Sequence, residues 1–521
     1  MAPVVRARGT KAAADPTEPE LSSSDIGRRA ASGAVLLTAK GGLGLGLGLL
    51  STIVVTRLLA PDELGLYAIA LTISTFLLML GGGLGMAGAL IRRPIAPDYR
   101  DLQAFVALQL MVSCFLVAVV VLATRPFGLV GQLTAVMVAS APINAFRGAG
   151  FVVLERQLLY KRIATAETAE MVVYYGWTIV AVAIGWGLWG LATATVARAV
   201  VGTSFTVALA PTGAIWPRFD GRRIREMLGI GVRVQAVDLV GALRDQLLIL
   251  GAAAVGSVDI VAYWSLVVRL LQAPLVLLWT LMRVSFPAMS RTKSAGGDPG
   301  TMLPRLLPAA TVLAGTLLAP LAGSAPALVP FLFGQRWSPA AGALSLTCLA
   351  LVIHTPLLIA GQSYLWTSGD ARTPLHAIIA DAVLCVAIGL PLVPVLGVLG
   401  LAVGCVVAVT VHVAILARPI DRQTHVGVFR QVRTPVLAWI VAAAAAWGCA
   451  HGPGPLLARA AISSCLSVAL YLGLLFVLRR ELMVGLARQA YPWLRRRLLR
   501  QRPRHGISSA PASGAAPTGR G

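Results

Sequence analysis

Twelve ionisable residues sit inside long apolar stretches: Lys40, Arg147, Glu167, Glu170, Arg198, Arg233, Asp238, Arg244, Asp245, Arg269, Arg283 and Asp381. A charge at the centre of a bilayer costs roughly 2.5–3.5 kcal/mol on insertion scales, so such residues face a protein interior or a wet cavity. Seven of the twelve are cations. Arg233, Arg147, Glu167 and Arg283 lie near the expected cytoplasmic edge, where pairing or snorkelling explains them. Lys40, Arg198, Arg244 and Arg269 lie deeper and are the candidate cavity cations. Arg233 and Arg244 are eleven residues apart, about three helical turns, and share one face. Asp238 and Asp245 share another face, rotated by about 140° from the first. Arg269 and Arg283 share a face of the next helix. These acids, together with Asp381, could brace the arginines or carry protons. A cationic cavity takes an anionic ligand, and phosphates and diphosphates pair well with Arg. In a membrane, such an anion with an apolar body is lipid-linked, its chain in the bilayer and its head in the cavity.

The elements that must position these charges are membrane helices. Only 12% of the 521 residues are charged and 57% are hydrophobic, with a mean hydropathy of +0.80. That is too little polar surface for soluble domains and too much apolar residue for disorder. The net charge of +23 would suit nucleic acid by size alone, but its distribution excludes that partner. The cations sit in short segments between apolar runs and in the C-terminal tail. Arg outnumbers Lys about tenfold, and the Ala-, Gly- and Val-rich usage reads as a GC-rich bacterial source.

The apolar runs are continuous rather than alternating, and about 20 helical residues cross a bilayer. They predict an all-α integral membrane protein of about fourteen spans: 33–57, 64–90, 102–124, 127–150, 164–186, 188–211, 228–252, 258–284, 304–325, 338–362, 374–394, 397–417, 435–451 and 455–478. Pro356 and the polar stretch 361–374 weaken the tenth and eleventh. Apart from the seven interior cations, 33 Lys and Arg fall in or at the edge of the termini and alternate loops, and 4 (Arg57, Arg125, Arg336, Arg459) fall in or at the edge of the others. The positive-inside rule then puts both termini in the cytoplasm of a bacterial inner-membrane protein. Residues 1–30 are polar and the first apolar run has no clear cleavage site, so the first helix is expected to remain as an anchor.

Other patterns are weaker. GGLGLGLGLL at 41–50 lies inside an apolar helix with no preceding strand, so it reads as close helix packing rather than a phosphate loop. The six cysteines form no CxxC pair, and the six histidines (354, 376, 412, 425, 451, 505) have no ligand spacing. Catalytic motifs are lacking, no metal or other cofactor is implied, and a non-enzyme is expected. Glu63 with Tyr67 and Asp259 with Tyr263 recur at an offset of 196 residues, a faint sign of two six-helix lobes. The Arg-rich tail 479–504 fits a helix on an anionic leaflet or a positive-inside stop, and 506–521 reads as disordered.

Four segments carry a family resemblance. RLLAPDELGLYAIAL at 57–71 resembles the first inter-helix turn of the bacterial polysaccharide transporter family, Arg-x-Leu-x-Pro-acid-x-x-Gly-x-Tyr. LMRVSFPAMSR at 281–291 is similar to the end of that family's eighth helix. FGQRWSPA at 333–340 resembles its Phe-Gly-x-x-Trp turn, and FVVLERQLLYKRIATAETA at 151–169 its stretch after helix 4. The family belongs to the multidrug/oligosaccharidyl-lipid/polysaccharide flippase superfamily. The resemblance implies an N-lobe (33–211), a basic linker (212–227), a C-lobe (228–417) around a central cavity, a loop (418–434), two further helices (435–478) and a tail (479–521). It implies alternating-access translocation of polyprenyl-diphosphate-linked oligosaccharide for cell-surface or exopolysaccharide assembly. Lys40, Arg198, Arg244 and Arg269 would hold the diphosphate or acidic sugars. Membrane lipids and glycan-assembly proteins would be the remaining partners. The rivals are a cation-coupled drug or metabolite antiporter of the same fold, a polysaccharide polymerase or ligase, and a scaffold recruited through the tail. The drug-exporting branch relies on intramembrane acids, and the first helix here carries Lys40 instead.

Overall fold

The computed structural model describes residues 23–81, 86–92 and 97–485, which contain helices and turns and no strand. The chain forms two compact units, residues 1–471 and residues 472–521. The helices are α1 (Ser23–Leu58), α2 (Pro61–Gly81), α3 (Met86–Arg92), α4 (Tyr99–Ala123), α5 (Gly128–Val138), α6 (Ser140–Arg156), α7 (Tyr160–Ala183) and α8 (Leu188–Leu209). They continue as α9 (Gly221–Val255), α10 (Val258–Ser294), α11 (Leu303–Phe333), α12 (Ala340–Pro356), α13 (Gln362–Ser368), α14 (Arg372–Leu396), α15 (Val398–Thr424), α16 (Val428–Ala450) and α17 (Leu456–Leu478).

Among the described residues, twelve helical segments are long and apolar enough to cross a membrane. Two more long helices, α7 and α9, fall outside that set. They are the ones that carry Glu167 and Glu170, and Arg233, Asp238, Arg244 and Asp245. Several sequence-based boundaries change, three of them in ways that alter an element. The stretch 127–150 is two helices, α5 and α6, broken at Ala139 and continuing to Arg156. The stretch beyond Pro356 stays helical through one wide turn at 357–361 and reaches Ser368. At its far end α10 runs to Ser294, ten residues past the expected end at 284. Most of the basic tail lies outside the described residues; within it, 480–485 are helical.

Helix neighbours repeat along the chain. In the first half α7 packs on α1 and α8, α8 on α6, and α2 on α5; in the second, α14 packs on α9 and α15, α15 on α12, and α10 on α12 and α13. The first of these contacts is built the same way twice. Lys40, Gly44 and Gly48 of α1 meet Glu167, Met171 and Tyr175 of α7, every fourth residue against every fourth, so the helices run parallel in register. A Cβ at Gly44 would stand 2.7 Å from the Met171 sulfur, and one at Gly48 3.0 Å from the Tyr175 hydroxyl. On α9, Arg244, Gly251 and Gly256 meet Asp381, Leu390 and Val393 of α14 in the same sense. Small residues let helix backbones close up in lipid, where no hydrophobic drive separates helix from acyl chain. That is the use of the glycine run.

Three further contacts tie elements distant in sequence. Arg57, at the end of α1, donates to the Leu332 carbonyl at 2.9 Å and to the Phe331 carbonyl, capping the C-terminus of α11 with positive charge. Trp337 is buried and its indole N–H donates to the Thr56 carbonyl at 3.1 Å. Arg223, at the start of α9, bonds Asp98 at 2.7 Å and Asp101 at 2.5 Å, the two members of the α4 capping box. Against the desolvation that opposes it, the Arg223 hydrogen bond and the Asp101 N–H hold the Asp98 carboxyl below its usual range.

The α2–α10 crossing is the tightest such contact. A Cβ on Gly65 would lie 2.1 Å from the Val258 carbonyl oxygen, a main-chain atom that no rotamer change removes. Gly65→Ala is expected to cost about 1–3 kcal/mol of stability, the usual scale of overpacking. Gly46→Ala, where nothing lies within 4 Å, should be neutral or slightly stabilising. Thermal unfolding of both variants in one detergent checks the pair.

Candidate functional site

The candidate site is a cavity of about 260 Å³ where α1, α2, α8, α9 and α10 meet. Thr52 and Thr56 of α1 line it, with Tyr67 of α2, Leu191 of α8, Ile249 of α9, and Ser265, Arg269 and Gln272 of α10; Trp337 is also in its wall. Most of the remaining wall is aliphatic. The Thr56–Trp337 hydrogen bond and the edge-to-face contact of Tyr263 with Trp337, at 5.9 Å, hold the indole in place. The Ser265 hydroxyl is buried without a hydrogen-bond partner, and a ligand could supply one.

Arg269 is the one candidate cation in the cavity wall. Among the described residues it pairs with no carboxylate; its guanidinium reaches the Thr52 hydroxyl at 3.4 Å. Its charge and that of Arg198 both act on the hydroxyls of Tyr67 and Tyr175. Tyr67 and Tyr174 share a hydroxyl contact of 3.3 Å, and the Arg198 guanidinium lies 5.7 Å from the centre of the Tyr174 ring. The cluster thus offers a free guanidinium, several hydroxyls and aromatic faces on an aliphatic background, which suits an anion with polar and apolar parts.

The other three expected cavity cations are engaged. Lys40 bonds Glu167 at 2.5 Å. Arg198 bonds Glu170 at 2.5 Å, and Arg147 bonds the second oxygen of the same buried carboxylate at 2.6 Å. Arg244 bonds Asp381 at 2.5 Å and its neighbour Asp245 at 3.1 Å. Of the acids singled out in the sequence, Asp245 and Asp381 therefore brace Arg244 in this structure. Arg244 and Asp245, assigned to different helix faces by their angular spacing, bond each other because a long side chain bridges adjacent positions. The side chains of Arg233, Asp238 and Arg283 lie outside the described residues. Helices α9 and α10 both line the cavity, α9 through Ile249 and not through Arg244. No cluster of metal-ligating side chains occurs among the described residues.

Tyr174, Tyr175, Ser265, Gln272 and Thr52 were not singled out by sequence reasoning. None is charged, and the tyrosines lie behind the cavity wall, Tyr174 against Tyr67 and Tyr175 against Gly48 of α1. The Tyr67 and Trp337 positions had a signal, since both fall in segments that carried the family resemblance.

A bundle of long apolar helices with a cation-bearing internal cavity defines a multi-pass membrane protein with a transporter-type fold. The structure resembles that of "Lipid II flippase MurJ, inward closed conformation" with a TM-score of 0.70, at 12% identity, over 86% of this chain and 100% of that one. It also resembles an inward-facing multidrug resistance MATE family transporter of the MOP superfamily, with a TM-score of 0.59 at 18% identity, over 73% of this chain and 94% of that one. No curated protein matches the sequence. Residues 54–342 match the family model described as "Polysaccharide biosynthesis protein", and the chain belongs to that family.

Glu170 neutralises two cations at once, so its loss leaves both unpaired. Glu170→Ala is expected to destabilise the protein on the order of 3 kcal/mol, the lower end for a broken buried pair because Arg198 is half-exposed. Arg147→Ala should cost more than Arg198→Ala, since the Arg147 side chain is 19% exposed and that of Arg198 53%. Thermal unfolding of the three variants checks the order.

Proposed function

We propose that the protein is a flippase that moves polyprenyl-diphosphate-linked oligosaccharide across the bacterial inner membrane by alternating access, for cell-surface or exopolysaccharide assembly. The observation that carries this reading is Arg269. Among the described residues it pairs with no carboxylate, and it stands in the cavity wall beside the hydroxyls of Thr52, Thr56 and Ser265 and the rings of Tyr67 and Trp337. Its partner would be a diphosphate, and the hydroxyls and rings would meet the adjoining sugar. Drug-sized pockets run to ~300–1,000 Å³, so this cavity takes a head-group fragment, with the polyprenyl chain left in lipid. Membership of the polysaccharide biosynthesis family and a fold shared with a lipid II flippase support the same reading.

In this reading α7 and α9 also span the membrane, giving fourteen spans with both termini cytoplasmic. Residues 33–211 and 228–417 are the two lobes, joined by the linker 212–227, and the repeated α1–α7 and α9–α14 contacts are their related seams. The loop 418–434, the helices of 435–478 and the tail 479–521 are additions to that core. Lys40, Arg198 and Arg244 contribute to ligand holding by exchanging their carboxylates for phosphate as the lobes move. Opening toward the Arg57 side requires release of the Thr56–Trp337 and Arg57–α11 contacts, which hold that end closed.

Deleting the gene in its host should trap lipid-linked saccharide on the cytoplasmic leaflet. Supplying Arg269→Ala at normal membrane levels should slow clearance about 10–100-fold, as expected for losing a hydrogen bond to a charged group worth roughly 1.5–3 kcal/mol. Arg269→Lys should clear partially, because the charge remains and the planar fork is lost. Full clearance by Arg269→Ala, or no trapped intermediate in the deletion, would overturn the assignment.

A further inference from the structure

The cavity wall offers a bound anion fewer hydrogen-bond donors than its polar residues suggest. Within α1, the Thr52 hydroxyl donates to the Gly48 carbonyl at 2.7 Å and the Thr56 hydroxyl to the Thr52 carbonyl at 2.7 Å. The Trp337 indole N–H donates to the Thr56 carbonyl, and the Tyr67 hydroxyl meets that of Tyr174. The Ser265 hydroxyl is buried, and Thr72 is 5% exposed. The two long polar side chains left exposed in the wall are Arg269 and Gln272.

Both belong to α10, inside the span Val258–Trp279. Three residues apart, they are separated by about 4.5 Å of rise and about 60° of turn, so they stand on one face. The Arg269 guanidinium touches the Thr52 hydroxyl at 3.4 Å. Among the described residues the Gln272 carboxamide has no hydrogen-bond partner. A carboxamide inside a membrane span costs stability unless something meets its two N–H groups and its oxygen.

A diphosphate has the matching need. Each of its phosphates carries negative charge and seeks donors. The Arg269 fork, already shared with Thr52, serves one phosphate. Arg198, whose charge acts on the same tyrosines, is held by Glu170. The second phosphate therefore needs a donor beside Arg269, and it stays within reach because one bridging oxygen joins it to the first.

Resting on the flippase reading, we infer that Gln272 is a specificity residue, which donates from Nε2 to one phosphate while Arg269 holds the other. Together they select a diphosphate over a monophosphate. The carboxamide suits this place because it supplies donors without a second cation, which the unloaded cavity would have to hold without a counter-ion. A neutral donor also grips an anion less tightly than a charged one, which favours release after transport.

The test is native mass spectrometry of the purified full-length protein with undecaprenyl diphosphate and undecaprenyl monophosphate, neither of which carries a sugar. The native protein should retain the diphosphate in preference. Gln272→Leu, similar in size and without donors, should lower the diphosphate-to-monophosphate ratio about tenfold and leave monophosphate retention unchanged. Gln272→Ala should do the same, and Gln272→Lys, which restores a donor, should keep the preference. Thermal unfolding of each variant confirms that it is folded. An unchanged ratio in folded Gln272→Leu and Gln272→Ala, as for a side chain that reads the sugar, overturns this inference alone. So does an equal loss of both lipids, the mark of a merely structural role. A native protein that shows no preference overturns the diphosphate reading itself, and this inference with it.

Discussion

A charge inside a bilayer has to be paired, and that requirement organises this structure. Glu170 is shared by Arg147 and Arg198, which fastens α7 to both α6 and α8. Lys40–Glu167 fastens α1 to α7, and Arg244–Asp381 fastens α9 to α14. Each of the last two pairs is continued along the helix by glycines that let the backbones close up. Hydrogen-bonded ion pairs are costly to desolvate and contribute little net stability, yet they are costly to break singly. They specify which helices meet and in what register more than they strengthen the bundle.

Against that background Arg269 stands out. It lines the cavity, is touched by one threonine hydroxyl and, among the described residues, pairs with no carboxylate, which is why the proposed function assigns it the ligand. Tyr67 and Trp337, with the Thr52, Thr56 and Ser265 hydroxyls, give the otherwise aliphatic cavity wall an amphipathic character. Trp337 on Thr56 and Arg57 on the α11 carbonyls tie the end of α1 to elements far along the chain.

Much of this was legible in the residues. Hydropathy runs located the apolar middle of each helix, because apolar length is set by bilayer thickness, but not the polar ends that extend beyond the membrane, as where α10 continues to Ser294. The list of interior charges included every ion pair that, among the described residues, joins α1, α7, α8, α9 and α14 to one another. Their pairing was not legible: angular spacing on one helix says which residues share a face and nothing about which helix faces them. Three of four expected ligand cations thus turned out to hold carboxylates in this structure. The break at Ala139 was hidden because the small and apolar residues run on across it, with Pro142 just beyond. The edge-to-face contact of His354 with His412 carried no spacing signal, since α12 and α15 bring together positions 58 residues apart.

The central claim is that Arg269 binds a diphosphate on a lipid. Native mass spectrometry of the purified full-length protein with added undecaprenyl diphosphate, compared with undecaprenyl monophosphate, tests it most directly. The account predicts that the native protein retains the diphosphate in preference to the monophosphate, and that Arg269→Ala loses that preference while remaining folded. Equal retention of both lipids by the native protein, or an unchanged preference in Arg269→Ala, would contradict it.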